Sequence, residues 1–136
     1  MDRTQARAAA VQLLYEWAMG GNGGMDTCLG LLEMDSEDKN FDYALQLVDG
    51  VKENVEKLDG EIAPRLRSGW RMDRLSRVDL SILRLAVYEL TVEKLPAGVV
   101  INEAIELSRT FSTEEIGAFI NGVLGAIARA QSPKAE

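Results

Sequence analysis

The sequence has 136 residues, a formal net charge of −7, 46% hydrophobic and 27% charged residues, which suits one globular domain with a core of its own. Histidine is absent and cysteine occurs once, at Cys28, so Ser-His and Cys-His nucleophile pairs, histidine or thiolate metal sites and an internal disulfide are all excluded. The acidic balance argues against nucleic acid coating the whole surface, and no apolar run approaches the roughly 18 residues of a membrane span.

Residues 3–19 read as an amphipathic helix. Ala6, Ala10, Leu13, Leu14 and Trp17 share one stripe at helical spacing, and Tyr15 points away from it. The run Gly20-Gly21-Asn22-Gly23-Gly24 supplies positive φ freely and ends this helix. No strand precedes it and neither GxGxxG nor GxxxxGK[ST] occurs, so it is a connector and not a phosphate loop. Met25 to Met34 suggests a short helix in which Cys28 is a core thiol, and Asp35 to Asp38 is a polar break. From Lys39 to Leu58 the spacing of Phe41, Leu45, Val48, Val51, Val55 and Leu58 is helical throughout, weakened at Gly50; Gly60 and Pro64 follow.

Arg77 to Leu90 is the most apolar stretch. Leu75, Val78, Ile82, Leu83, Leu85, Ala86, Val87 and Leu90 cover more than half of a helical wheel, so this helix should be central and packed on several sides. Arg77, Ser81, Arg84 and Tyr88 form its polar seam. Asp79 and Glu89 interrupt the apolar arc and need solvent or a partner. Ser76-Arg77-Val78-Asp79 fits a capping box that starts the helix at Ser76. Glu93 to Gly98 reads as a loop. Val99 to Phe111 reads as a helix with Ile101, Ala104, Ile105, Ser108 and Phe111 inward. Ser112-Thr113-Glu114-Glu115 looks like a second capping box, opening a last helix with Ile116, Phe119, Ile120, Val123, Leu124 and Ile127 buried. Ser132 to Glu136 reads as a tail.

No segment alternates with period two, so the expected class is all-α, a compact bundle of about six or seven helices. Positive charge is uneven. Five of the ten arginines, Arg65, Arg67, Arg71, Arg74 and Arg77, surround Trp70, and Arg3 and Arg7 start the first helix. The five either form a basic patch beside an aromatic, a combination that suits single-stranded nucleic acid, or pair with nearby carboxylates.

Four blocks resemble the NusB family of bacterial transcription antitermination factors: AVQLLYEW from Ala10, ILRLAVYEL from Ile82, VINEAIEL from Val100 and FINGVL from Phe119. Their order and spacing cover about Arg3 to Ala130. The resemblance implies a single domain of residues 1–136 in two packed helical subdomains, about 1–68 and about 69–131. It implies a non-catalytic cytoplasmic factor without cofactor or membrane contact. Such a factor binds the boxA RNA of ribosomal RNA leader transcripts together with NusE, a small-subunit ribosomal protein, and helps load an RNA polymerase antitermination complex. Carried over position by position, it puts Arg3, Arg7, Tyr15, Glu115 and Phe119 on the RNA side and Asp73 and Asp79 on the NusE side. Glu115 also suits its capping box, and Phe119 also suits the core. The chain departs from the family's denser N-terminal arginine run, with Thr4, Gln5 and Ala6 there, so reliance on the partner is expected. The alternative is a protein-only helical adaptor or homodimer.

Overall fold

The computed structural model of the chain describes residues 2–21, 37–66 and 71–131, and within these it is all-helical. Six α-helices follow in order: α1 (Arg3–Ala18), α2 (Lys39–Glu53), α3 (Val55–Ile62), α4 (Arg77–Thr91), α5 (Ala97–Phe111) and α6 (Ile116–Gln131). Short 3₁₀ turns at Ala63–Arg65 and Met72–Arg74 flank the connection into α4. The expected helix from Met25 to Met34, Cys28, Arg67 and Trp70 lie outside the described residues.

The apolar arc of α4 does what its breadth requires: the helix packs against every other one. Eleven of its fifteen residues are buried, from Asp79 to Leu90 with Arg84 excepted. The polar seam is therefore mostly internal too. Ser81 is buried and its hydroxyl donates back to the Arg77 carbonyl at 2.7 Å, and Tyr88 is buried against α2. At that crossing a Cβ on Gly50 would overlap the Tyr88 ring, so the glycine that weakens α2 locally is what lets the two helices approach. Arg84 reaches sideways to Asp59 of α3 in a forked pair, 2.8 Å on each arm.

Three boundaries differ from the sequence reading. The helix expected over Lys39–Leu58 breaks at Asn54, whose side chain donates to the Gly50 carbonyl at 2.7 Å and caps α2 before α3 begins. α5 starts at Ala97, behind Pro96, two residues before the expected Val99. Its buried stripe is Val100, Ala104, Leu107 and Ser108, leaving Ile101, Ile105 and Phe111 half-buried. The second capping box does not form as expected. The hydroxyl oxygen of Thr113, and not Ser112, accepts from the first amide of α6, Ile116, at 3.3 Å, and Glu115 lies ahead of the helix. The first box, at Ser76, has its side chain accepting from the Asp79 amide at 3.1 Å. A full reciprocal box the sequence reading overlooked opens α1: Asp2 accepts from the Gln5 amide and the Gln5 side chain accepts from the Asp2 amide, both at 2.8 Å.

Candidate functional site

α1 sets the geometry. Ala6, Ala10, Leu13 and Leu14 face the core as expected, Trp17 is half-buried beside Arg84 and Lys52, and Tyr15 on the opposite side is 42% exposed. Tyr15 is not isolated on this surface. With Val11 and Gln12 it forms one wall of a cleft of about 280 Å³, closed by Val78 from the first turn of α4 and Phe111 from the last turn of α5. Three elements distant in sequence thus meet at one open, largely apolar recess edged by a phenol and an amide. Such a recess can seat a side chain or a base; it holds no nucleophile-base pair. Among the described residues no group of three or more His, Cys, Asp or Glu could hold a metal ion.

Next to Val78, Asp79 is 7% exposed, and its Oδ1 has no hydrogen-bond donor among the described residues. A buried acceptor left without a donor costs about 1–3 kcal/mol. Asp79 sits in the first turn of α4, where backbone N–H dipoles favour a negative charge. Asp73 is different: it is exposed and accepts both arms of the Arg71 guanidinium, at 2.7 and 3.2 Å. That guanidinium holds the Asp73 carboxyl below the usual carboxylate range.

Arg7 contradicts the sequence reading. Its side chain is inside, 6% exposed, with Nε between the two oxygens of Glu89 at 3.0 and 3.1 Å and Nη1 3.7 Å from Glu103. Tyr43 of α2 donates its hydroxyl to Glu89 at 3.0 Å, and Thr4 donates to Glu103 at 3.0 Å. The cluster joins α1, α2, α4 and α5. Burial pushes the Glu89 carboxyl up, with Arg7 and Tyr43 pulling the other way. Burial and then the neighbouring Glu89 push the Tyr43 phenol up to about 12. The partner that Glu89 needed is therefore Arg7, whose guanidinium is committed inside the chain. The signal was in the sequence: Arg7 lies four residues before Val11 and seven before Leu14, in phase with two core residues.

Arg3 is exposed, and its guanidinium lies over the Tyr43 ring, 3.6 Å from the centroid. Glu115 is exposed ahead of α6, and Phe119 is half-buried against the core. Neither lines the cleft. Gln12, Val78 and Phe111 do line it, and the sequence reading gave none of them a surface role.

Comparison with known proteins adds a decisive observation: a family model described as the NusB family matches residues 4–129. The chain belongs to the NusB family. It is 38% identical to the transcription antitermination protein NusB of Acetivibrio thermocellus, a match covering 100% of this chain and 94% of that one. Its fold superposes on a T. maritima NusB structure with a TM-score of 0.81 at 35% identity, covering 98% of this chain and 95% of that one. It superposes equally well, at a TM-score of 0.84 and 32% identity over 94% and 96% of the two chains, on a crystal structure of antitermination factors NusB and NusE in complex with dsRNA.

Proposed function

We propose that this NusB-family chain is a non-catalytic, cytoplasmic transcription antitermination factor that binds boxA RNA of ribosomal RNA leader transcripts together with NusE. In this reading the pair is then taken into an RNA polymerase antitermination complex. The observation that carries it is the outward Tyr15 in the cleft between α1, α4 and α5, on a fold shared with a NusB bound to NusE and dsRNA. A phenol over apolar walls offers contact area at low entropic cost, which suits a protein or RNA surface and not a reaction centre.

Each side chain then takes a role its surroundings permit. Tyr15 and the cleft receive the complex. Asp79 Oδ1, buried and lacking a donor among the described residues, suits an N–H or cationic group brought by NusE, and exposed Asp73 lies on the same approach to α4. Arg3 keeps its charge over Tyr43 and faces solvent, fit to meet a phosphate. Glu115 and the edge of Phe119 border the RNA at the start of α6. Arg7 drops out of the RNA surface and becomes the internal tie to Glu89.

With Arg7 internal and a net charge of −7, few cations are left to meet phosphates, so RNA affinity without NusE should be weak and its salt dependence shallow. The same two observations favour, as a second reading, a protein-only adaptor or homodimer. Gel shifts of a boxA RNA with and without NusE, alongside sedimentation at several concentrations, separate the two. A shift that NusE strengthens supports the proposal. No shift in either condition at low salt, together with NusE capture in the absence of RNA, supports the adaptor.

A further inference from the structure

Phosphate affinity comes from cations that are free to displace counterions, so an arginine already held by a carboxylate contributes little. Among the described arginines, Arg7, Arg65, Arg71, Arg84 and Arg109 are each in an ion pair within the chain. Arg3 is committed to Tyr43 but stays exposed. Arg74, Arg77 and Arg129 are exposed and enter no ion pair among the described residues. Two of these three sit together, on either side of Ser76, the cap of α4.

Their placement is not what stability alone would choose. Arg77 is the first residue of α4 and Arg74 ends the turn before it, so both cations lie at the positive end of a helix dipole, where an acidic residue is favoured. Neither nearby carboxylate forms an ion pair with them: Asp73 is held by Arg71 and feels Arg74 only as a lesser neighbour, and Asp79 is buried. Val78, which follows Arg77 in the first turn of α4, lines the cleft that holds the exposed Tyr15, so the two cations belong to the same end of α4 as one wall of that cleft. Arginine beside an exposed aromatic is the pairing that single-stranded RNA uses, a phosphate on the cation and a base on the ring.

We infer that Arg74 and Arg77, at the start of α4, supply phosphate contacts to the RNA in place of Arg7, extending the RNA path from α1 across the mouth of the Tyr15 cleft. This rests on the proposed RNA-binding function and says which cations perform it. The alternative occupant for two free arginines is an acidic patch on the protein partner, and the test distinguishes the two.

The measurement is the salt dependence of binding of a fluorescent boxA RNA to the full chain with NusE, between about 50 and 200 mM salt. Each phosphate contact to a single strand contributes about 0.7 to the slope of log K against log salt. The double variant Arg74→Gln/Arg77→Gln should therefore lose about 1.4 from that slope. Its deficit against the parent should shrink about sevenfold from the lowest to the highest salt. Arg129→Gln, another exposed arginine without an ion pair among the described residues, should leave the slope where it was, and NusE binding measured without RNA should be unchanged in the double variant. An unchanged slope overturns the inference. So does a loss of NusE affinity in the absence of RNA with the slope intact, which would assign the arginines to the protein partner. An equal drop from Arg129→Gln would show overall charge at work and would also overturn it. If the parent chain binds no RNA at low salt even with NusE, the RNA-binding function itself fails.

Discussion

Replacing Arg7 by alanine tests the internal role that the structure gives it. Glu89 is 2% exposed and would be left with the Tyr43 hydroxyl as its one remaining donor. Removing one member of a buried, hydrogen-bonded ion pair costs about 3–5 kcal/mol, because the surviving charge is stranded. For a chain of this size that lowers Tm by on the order of 10–20 °C. The pH dependence gives a sharper readout. Burial raises the Glu89 carboxyl above its ordinary 4.5 in the folded chain, so the folded state takes up that proton before the unfolded state does. A group raised in this way contributes stability that is present below the unfolded value and lost as pH rises through the folded value. Without Arg7 the carboxyl climbs further, so the deficit of Arg7→Ala should be largest near pH 7 and shrink towards pH 4.5. Urea unfolding of parent and variant at pH 7, 6, 5 and 4.5 measures it. Replacing both members, as in Arg7→Met/Glu89→Leu, should recover most of the loss. A deficit below about 1 kcal/mol at pH 7, or one that does not change with pH, would refute the reasoning.

Three further outcomes follow from the packing. Gly50→Ala should cost about 1–3 kcal/mol by forcing a methyl into the Tyr88 ring, and Tyr88→Ala should relieve that clash, so thermal melts of the two single variants and the double variant should be non-additive. Ser76→Ala removes the side-chain acceptor for the Asp79 amide and should lower stability by about 1 kcal/mol in urea titrations, with no change in the denaturant slope. Asp79→Ala removes a buried oxygen that has no donor among the described residues, so Tm should move by only a few degrees while NusE affinity, measured by calorimetry, falls by roughly tenfold. A collapse of Tm with NusE affinity intact would make Asp79 structural.

What the sequence made legible is what a single helix can report about itself. The breadth of the apolar arc on α4 announced a helix contacted from all sides, and the phase of α1 set Tyr15 opposite the core. The serine cap of α4 was readable because cap and amide are three residues apart. Features that depend on distant partners were not. Arg7 meets Glu89 across 82 positions of chain, and charge alone suggested solvent although the helical phase of Arg7 pointed inward. Glu89 was marked as needing a partner, but nothing local named it. The cleft is likewise a product of three helices, so Gln12, Val78 and Phe111 carried no surface signal of their own. The break at Asn54 was hidden because its side chain ends α2 by bonding a carbonyl four residues back, which no apolar periodicity records.

The most direct test of the account is a backbone amide NMR titration of the labelled chain with unlabelled NusE, followed by boxA RNA. The account predicts that NusE moves the resonances of Gln12, Tyr15, Val78, Asp79 and Phe111, and that RNA then adds changes at Arg3, Arg74 and Arg77. Unperturbed spectra, or changes gathered instead at the Lys52–Lys57 corner between α2 and α3, would contradict it.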